Sequence, residues 1–117
     1  MTKTKKAVTS KKLLSLIKKG IEEKKGEEIV TLDIHKTNPS VCDYFIICHG
    51  NSNTHVAAIA DEVQKMVRDS VGEKPFHIEG VTNAEWVLLD YVNVVVHVFQ
   101  KELRHFYDLE NLWGDAR

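Results

Sequence analysis

The chain has 117 residues, 43% hydrophobic and 28% charged, and its formal net charge of −1 divides into +7 over residues 1–25 and −8 over the remainder. This composition fits one globular domain, with reduced thiols as in a cytoplasmic protein, and argues against wholesale disorder. It argues equally against a membrane-spanning helix, because no apolar run reaches roughly 18 residues, and against a disulfide framework, because only two cysteines are present.

The first predicted elements are a helix and two strands. Residues 1–9 are polar and Lys-rich, and we expect them to form a flexible basic N-terminus ahead of a single domain over residues 10–117. Ser10 is the expected N-cap of an amphipathic helix that ends near Gly26. Residues 28–33 are rich in β-formers, and residues 43–49 form a continuous apolar run, typical of a central strand covered on both faces.

The second half of the chain adds helices and strands in a different order. Apolar residues from Val56 to Val67 recur at the period of a helix, which Gly72 ends. The remaining predicted elements are a short strand, the two strands of a hairpin and a last helix, over residues 75–79, 85–91, 94–100 and 101–112. The order αββαβββα predicts an α/β (α+β) domain with a mixed, roughly five-stranded sheet and helices packed on it.

Candidate catalytic residues are few. Gly50-Asn51-Ser52 follows a strand and precedes a helix, so its backbone N–H groups are placed either to bind an anion or simply to cap the helix. A nucleotidyltransferase-like site also needs a pair of carboxylates for magnesium, and none follows at a workable distance. Cys48 and His49 point to opposite faces of a strand and cannot form a nucleophile–base pair. We expect no catalytic residue, metal or cofactor, and keep a small nucleotidyltransferase-like or nucleotide-binding protein as the alternative.

The unusual pattern is an alternation of aromatic and acidic residues around the hairpin. Alternation along the strand groups Trp86 with Leu88 and Asp90 on one face, and Leu89 with Tyr91 on the other. One interpretation places Trp86 and Leu88 in the core, but Asp90 would then be buried without a partner, which is costly. The competing interpretation is an exposed aromatic anchor beside an acid, the composition of a hot spot that suits a basic protein partner.

Several blocks of the sequence stand in the order found in one protein family. The blocks are residues 43–48, 50–53, 58–62, 79–80, 86–91, 94–99 and 106–115. In these blocks the chain resembles the ribosomal silencing factor family, also called RsfS or Iojap-like proteins. The resemblance runs from about Ser10 to Asp115, and the match of several blocks in one order is more specific than any single block.

The resemblance implies a fold similar to nucleotidyltransferases without their catalytic carboxylates, and a role that is not enzymatic. It implies a translational repressor that binds the large ribosomal subunit through ribosomal protein L-fourteen and sterically blocks subunit joining. Members of the family are often homodimers when free. Carried over by position, the implied partner-binding residues are Glu79, Trp86, Leu88, Leu89, Asp90, Tyr91 and His97.

The hairpin turn departs from the family's pattern. Val92-Asn93 stands where the family commonly has Gly-Asp or a similar turn. Because a β-branched residue resists positive φ, we expect Asn93 to take any left-handed position in this turn. The tip of the hairpin is therefore expected to differ in shape, whereas the strand before it is not.

The Lys-rich N-terminus has two interpretations. In the first, its lysines contact the phosphates of ribosomal RNA weakly, and its deletion then changes the salt dependence of ribosome binding. The other interpretation is a solvated helix face whose lysines maintain solubility. The sequence leaves both open.

Overall fold

The structure is a computed structural model that describes residues 8–114, so most of the predicted basic N-terminus lies outside the described residues. The helices and strands are α1 Ser10–Glu23, β1 Glu27–Asp33, β2 Tyr44–Gly50, α2 Asn53–Val71, β3 His77–Glu79, β4 Trp86–Asp90, β5 Val94–Gln100, α3 Lys101–Tyr107 and α4 Leu109–Leu112. Their order confirms the prediction up to the last helix, which is divided in two. Within residues 8–114, no helix is both long and apolar enough to cross a membrane.

The five strands form one mixed sheet in the order β1-β2-β5-β4-β3. β2 and β5 run parallel, and the other neighbouring strands pair antiparallel. The apolar run predicted as a central strand is β2, which pairs on both sides and is buried from Phe45 to Gly50. The predicted mixed sheet and the β4–β5 hairpin are therefore confirmed.

α1 and α2 pack against each other and cover one face of the sheet. The N-cap of α1 is Thr9 rather than Ser10, since the Thr9 side chain accepts a hydrogen bond from the Lys12 N–H. Gly20 lies in the middle of α1, where glycine weakens an isolated helix. Here it allows the two helices to touch, because a Cβ at this position would lie 2.8 Å from Cα of Val63.

α3 and α4 pack against the other face of the sheet. The sequence predicts one helix over residues 101–112, but α3 ends at Tyr107, because Asp108 adopts a left-handed conformation with a φ of +50°. α4 then buries Leu109 in a second apolar cluster with Phe45 and Phe99. On this face, the side chains of β3 and β4 stay partly or fully exposed, so an open region lies beside α3.

A buried arginine ties α3 and α4 to the sheet. The Arg104 guanidinium donates to both carboxylate oxygens of Glu110, at 3.0 and 2.9 Å, and to Nδ1 of His49 at 2.9 Å. Because Nδ1 accepts, Nε2 of His49 carries the proton and donates to the Glu27 carboxylate at 3.3 Å. Burial, and then the charge of Arg104, lowers the pKa of His49 and so favours the neutral imidazole.

Candidate protein-binding face

The open region brings together residues from two neighbouring strands. The register of β3 and β4 pairs His77 with Asp90 and Glu79 with Leu88, and cross-strand partners point to the same side of a sheet. Trp86 lies two residues before Leu88 on β4 and shares that side. We call His77, Glu79, Trp86, Leu88 and Asp90 the aromatic–acidic face.

Trp86 is the half-buried centre of this face. Its indole stacks on Phe99, its cross-strand partner, with the ring centroids 4.8 Å apart, and the ring of Tyr107 on α3 lies 4.9 Å away. The indole N–H donates to Nδ1 of His97 at 3.2 Å. Trp86 therefore combines the two interpretations of the sequence, because it packs against the second apolar cluster and keeps part of its surface exposed.

The partner-binding residues implied by the resemblance divide between the two faces of the sheet. Those on the aromatic–acidic face are Glu79, Trp86, Leu88 and Asp90. Leu89 and Tyr91 lie on the opposite face, buried among the residues that pack under α1 and α2. His97 shares the side of Trp86 but is only 4% exposed. Because these three side chains are buried, they are left out of the surface proposed to contact a partner.

Asp90 has a structural partner in the hairpin turn. Its carboxylate accepts a hydrogen bond from the Val92 N–H at 2.7 Å, so this half-buried acid is not unpaired. The prediction that Asn93 takes the left-handed position is wrong, since the residue with positive φ, +75°, is Val92. Two further bonds hold the turn this way: the Asn93 N–H donates to the Tyr91 carbonyl at 2.9 Å, and the Asn93 carbonyl accepts from the Asp43 N–H at 2.8 Å.

Val92→Gly is expected to raise the free energy of unfolding by about 1 kcal/mol. A β-branched residue at positive φ is strained by roughly 1–3 kcal/mol, and this relief exceeds the roughly 0.5–1 kcal/mol of added chain entropy in the unfolded state. The side chain of Val92 is 57% exposed, so little buried surface is lost. Urea unfolding measures the change. Asn93→Gly is the control, because it relieves no strain and should lower the free energy of unfolding. A Val92→Gly protein that is less stable than the wild type would contradict the strain assigned to Val92.

The sequence did not identify Phe99 and Tyr107 as neighbours of Trp86. Tyr107 is 49% exposed, and Phe106 beside it is 77% exposed and in edge-on ring contact with it. A signal was available, because adjacent residues of a helix point in different directions and two consecutive aromatics cannot both face the sheet. Aromatic surface therefore continues from Trp86 onto α3.

The Gly50-Asn51-Ser52 turn is explained by hydrogen bonds within the protein. The Ser52 hydroxyl accepts from the His55 N–H at 3.1 Å, and the Asn51 N–H donates to Nδ1 of His55 at 3.0 Å. Nε2 of the same ring then donates to the Lys24 carbonyl at 2.7 Å. In the part of the chain that the structure describes, no group of three or more His, Cys, Asp or Glu is placed to hold a metal. These contacts favour a helix cap over the nucleotide-binding alternative.

Comparisons with known proteins agree along nearly the whole chain. A model of the family described as ribosomal silencing factor during starvation matches residues 7–117. The ribosomal silencing factors RsfS of Halalkalibacterium halodurans and Bacillus subtilis are each 43% identical over 109 residues, which cover 93% of this chain and 92% and 91% of theirs. A crystal structure of a protein from Chromobacterium violaceum has a TM-score of 0.86 and 36% identity, covering 92% of this chain and 88% of that one. The chain therefore belongs to the ribosomal silencing factor family, whose members repress translation at the ribosome.

Proposed function

We propose that this protein represses translation by binding ribosomal protein L-fourteen on the large subunit and sterically blocking the small subunit. The observation that carries the proposal is the aromatic–acidic face on the part of the sheet that α3 and α4 leave open. There Trp86 and Leu88 are half-buried beside the carboxylates of Glu79 and Asp90. Family membership supports the site of action, and the resemblance supplies the partner.

The chemistry of the face suits a basic protein surface. The indole of Trp86 packs on the core, and with the half-buried Leu88 on the same side of β4 it forms a preorganised apolar centre. Binding energy concentrates in such centres of protein interfaces. Carboxylates at the rim favour a positively charged partner, and the −8 balance outside residues 1–25 adds attraction at longer range. Occupying a surface needs no chemical step, so the proposed role is regulatory and not enzymatic.

The proposal extends to the free protein and its N-terminal lysines. We infer that the protein acts in the cytoplasm, is a homodimer when free, and uses its Lys-rich N-terminus for a weak contact with ribosomal RNA. Four exposed lysines of α1 support the last point, Lys11, Lys12, Lys18 and Lys19. Each phosphate contact steepens the dependence of affinity on salt, so replacing these four lysines with glutamine should flatten that dependence for large-subunit binding. Size-exclusion chromatography with light scattering reports the free mass.

Trp86→Ala is expected to weaken binding to isolated large subunits by about 30-fold, because hot-spot truncation costs about 2 kcal/mol or more. The measurement is co-sedimentation over a series of protein concentrations, with thermal unfolding to show that the variant is folded.

Asp90→Asn removes the charge and keeps an oxygen that accepts from the Val92 N–H. It should bind severalfold more weakly, with the largest deficit at low salt.

The matched control for the charge is Asp61→Asn. Asp61 is an exposed carboxylate on α2, the helix that covers the opposite face of the sheet. Its removal changes the net charge by the same amount and should leave binding nearly unchanged. Equal pelleting of wild type and a folded Trp86→Ala would show that the aromatic–acidic face is not the binding site.

A further inference from the structure

His97 is a buried polar residue whose side chain makes one hydrogen bond within residues 8–114, to Trp86. It lies on β5 directly across from Leu88, and its side chain is 4% exposed. Nδ1 accepts the indole N–H of Trp86 at 3.2 Å. An indole nitrogen only donates, so Nδ1 is unprotonated and Nε2 carries the imidazole proton. Within residues 8–114, that buried Nε2–H has no hydrogen-bond partner.

The surroundings of His97 would suit an apolar side chain. Its ring packs edge-on against Phe45, with centroids 4.7 Å apart, and lies 6.4 Å from the ring of Phe99. Burial alone lowers the pKa of His97 to about 4, so the ring is neutral near physiological pH. A buried donor without a partner destabilises a fold. A leucine here would remove that donor and leave the indole N–H of the half-exposed Trp86 to bond with water. Folding therefore does not account for a histidine at this position.

The hydrogen bond that His97 accepts from the Trp86 indole N–H does account for the histidine, because this bond orients the indole. Stacking on Phe99 and contact with Tyr107 confine the plane of the Trp86 ring, but neither contact chooses which edge of the ring turns outward. The hydrogen bond makes that choice, since it turns the N–H edge toward the sheet. The apolar benzo edge is then the part of the ring directed away from His97.

We propose that His97 is a positioning residue that locks the Trp86 indole in one orientation and so presents its apolar edge to the ribosomal partner. The inference rests on the proposed function and deepens it. His97 does not contact the partner; it fixes the shape of the surface that does. Preorganisation of this kind raises affinity by removing a conformational choice from the binding step.

The test compares His97→Leu and His97→Asn with the wild type in large-subunit co-sedimentation. His97→Leu removes the acceptor and should weaken binding about 5- to 10-fold while the protein unfolds at an equal or higher urea concentration. His97→Asn places an amide oxygen close to the position of Nδ1 and should recover most of the affinity. A purely structural role predicts instead that binding follows stability.

Nuclear magnetic resonance of the Trp86 indole N–H supplies a second readout. In His97→Leu its resonance should shift and its exchange with solvent should become faster, and both changes should be reversed in His97→Asn. If His97→Leu binds like the wild type while Trp86→Ala does not, the positioning role is overturned and the proposed function stands. If Trp86→Ala also binds like the wild type, the proposed function is overturned, and the positioning role with it.

Discussion

Arg104→Ala should lower the free energy of unfolding by about 3–5 kcal/mol, the range for removing one partner of a buried ion pair. Arg104 is 5% exposed and makes a two-pronged bond to the Glu110 carboxylate. Its removal takes the guanidinium away from a largely buried carboxylate, removes the donor to Nδ1 of His49 and leaves a cavity. Few exposed contacts in this protein approach that effect.

The consequences should be concentrated in α3 and α4. Arg104 joins these two helices to each other and to β1 and β2, through Glu110, His49 and the Glu27 carbonyl. Tyr107, which packs on Trp86, lies at the end of α3. Loosening the two helices should therefore weaken large-subunit binding as well, although Arg104 is not on the aromatic–acidic face.

Urea unfolding and hydrogen exchange check this prediction. Arg68→Ala is the matched control, because Arg68 is half-exposed and forms a surface ion pair with its neighbour Asp69 at 3.6 Å. Its loss should cost less than about 1 kcal/mol. In the Arg104→Ala variant, amide hydrogen exchange should accelerate more in α3 and α4 than in α2. An Arg104→Ala protein as stable as Arg68→Ala would show that the buried network does not hold the fold.

Acidification from about pH 7.5 to pH 5 should lower the free energy of unfolding by roughly 2 kcal/mol through His97 alone. The pKa of His97 is about 4 in the folded protein, against 6.5 for an ordinary histidine. Between these values the unfolded chain binds a proton that the folded chain does not, so stability falls as the pH falls. Protonation at Nδ1 would also break the bond to Trp86.

His49 acts in the same direction. Burial and then Arg104 lower its pKa, so it too favours the unfolded state as the pH drops below about 6.5. Glu27 and Glu102 also have lowered pKa values, chiefly through hydrogen bonds from Asn51 and Gln100. The stability they contribute is present above their ordinary pKa of 4.5 and is lost below it. Stopping the acidification at pH 5 therefore separates the effect of the histidines on stability from that of the two carboxylates.

The measurement is urea unfolding of the wild type and His97→Leu at both pH values. The wild type should lose stability on acidification, and His97→Leu should lose clearly less, with His49 contributing to the loss that remains. The difference between the losses of unfolding free energy in the two proteins gives the contribution of the His97 imidazole. Parallel losses in the two proteins would contradict the buried, neutral state of His97.

Much of the fold could be predicted because local patterns and tertiary demands agree. α2 carries its apolar stripe over the whole helix and ends where Gly72 adopts a φ of +72°. β2 is apolar from Tyr44 to Cys48 because both of its faces are covered. The short spacing between β4 and β5 leaves little alternative to a hairpin. Each of these elements is specified within its own segment of sequence.

The unpredicted features depend on contacts between distant segments. Residues 101–112 contain no Gly or Pro, yet the helix breaks at Asp108, which lets Leu109 enter the core and Glu110 meet Arg104. Val92 adopts positive φ because its turn is fastened to Asp90 and, through Asn93, to the start of β2. No local pattern contains those partners.

The candidate site shows the same division. Alternation along β4 correctly separates Trp86 and Leu88 from Leu89, because it needs only the period of a strand. Which part of each face is covered depends on where α3 and α4 pack, and that placement exposes part of Trp86 and buries His97. The acids and the aromatic ring were visible in the sequence, whereas the residue that orients the ring was not.

The central claim is that the aromatic–acidic face occupies a surface that the small subunit needs. Light scattering during subunit joining tests it most directly, with large subunits preincubated with wild type, Trp86→Ala or Asp61→Asn before small subunits are added. We expect wild type and Asp61→Asn to suppress the rise in scattering to the same extent, and Trp86→Ala to leave it close to that of untreated subunits. Normal joining in the presence of saturating wild type, or equal suppression by a folded Trp86→Ala, would contradict the claim.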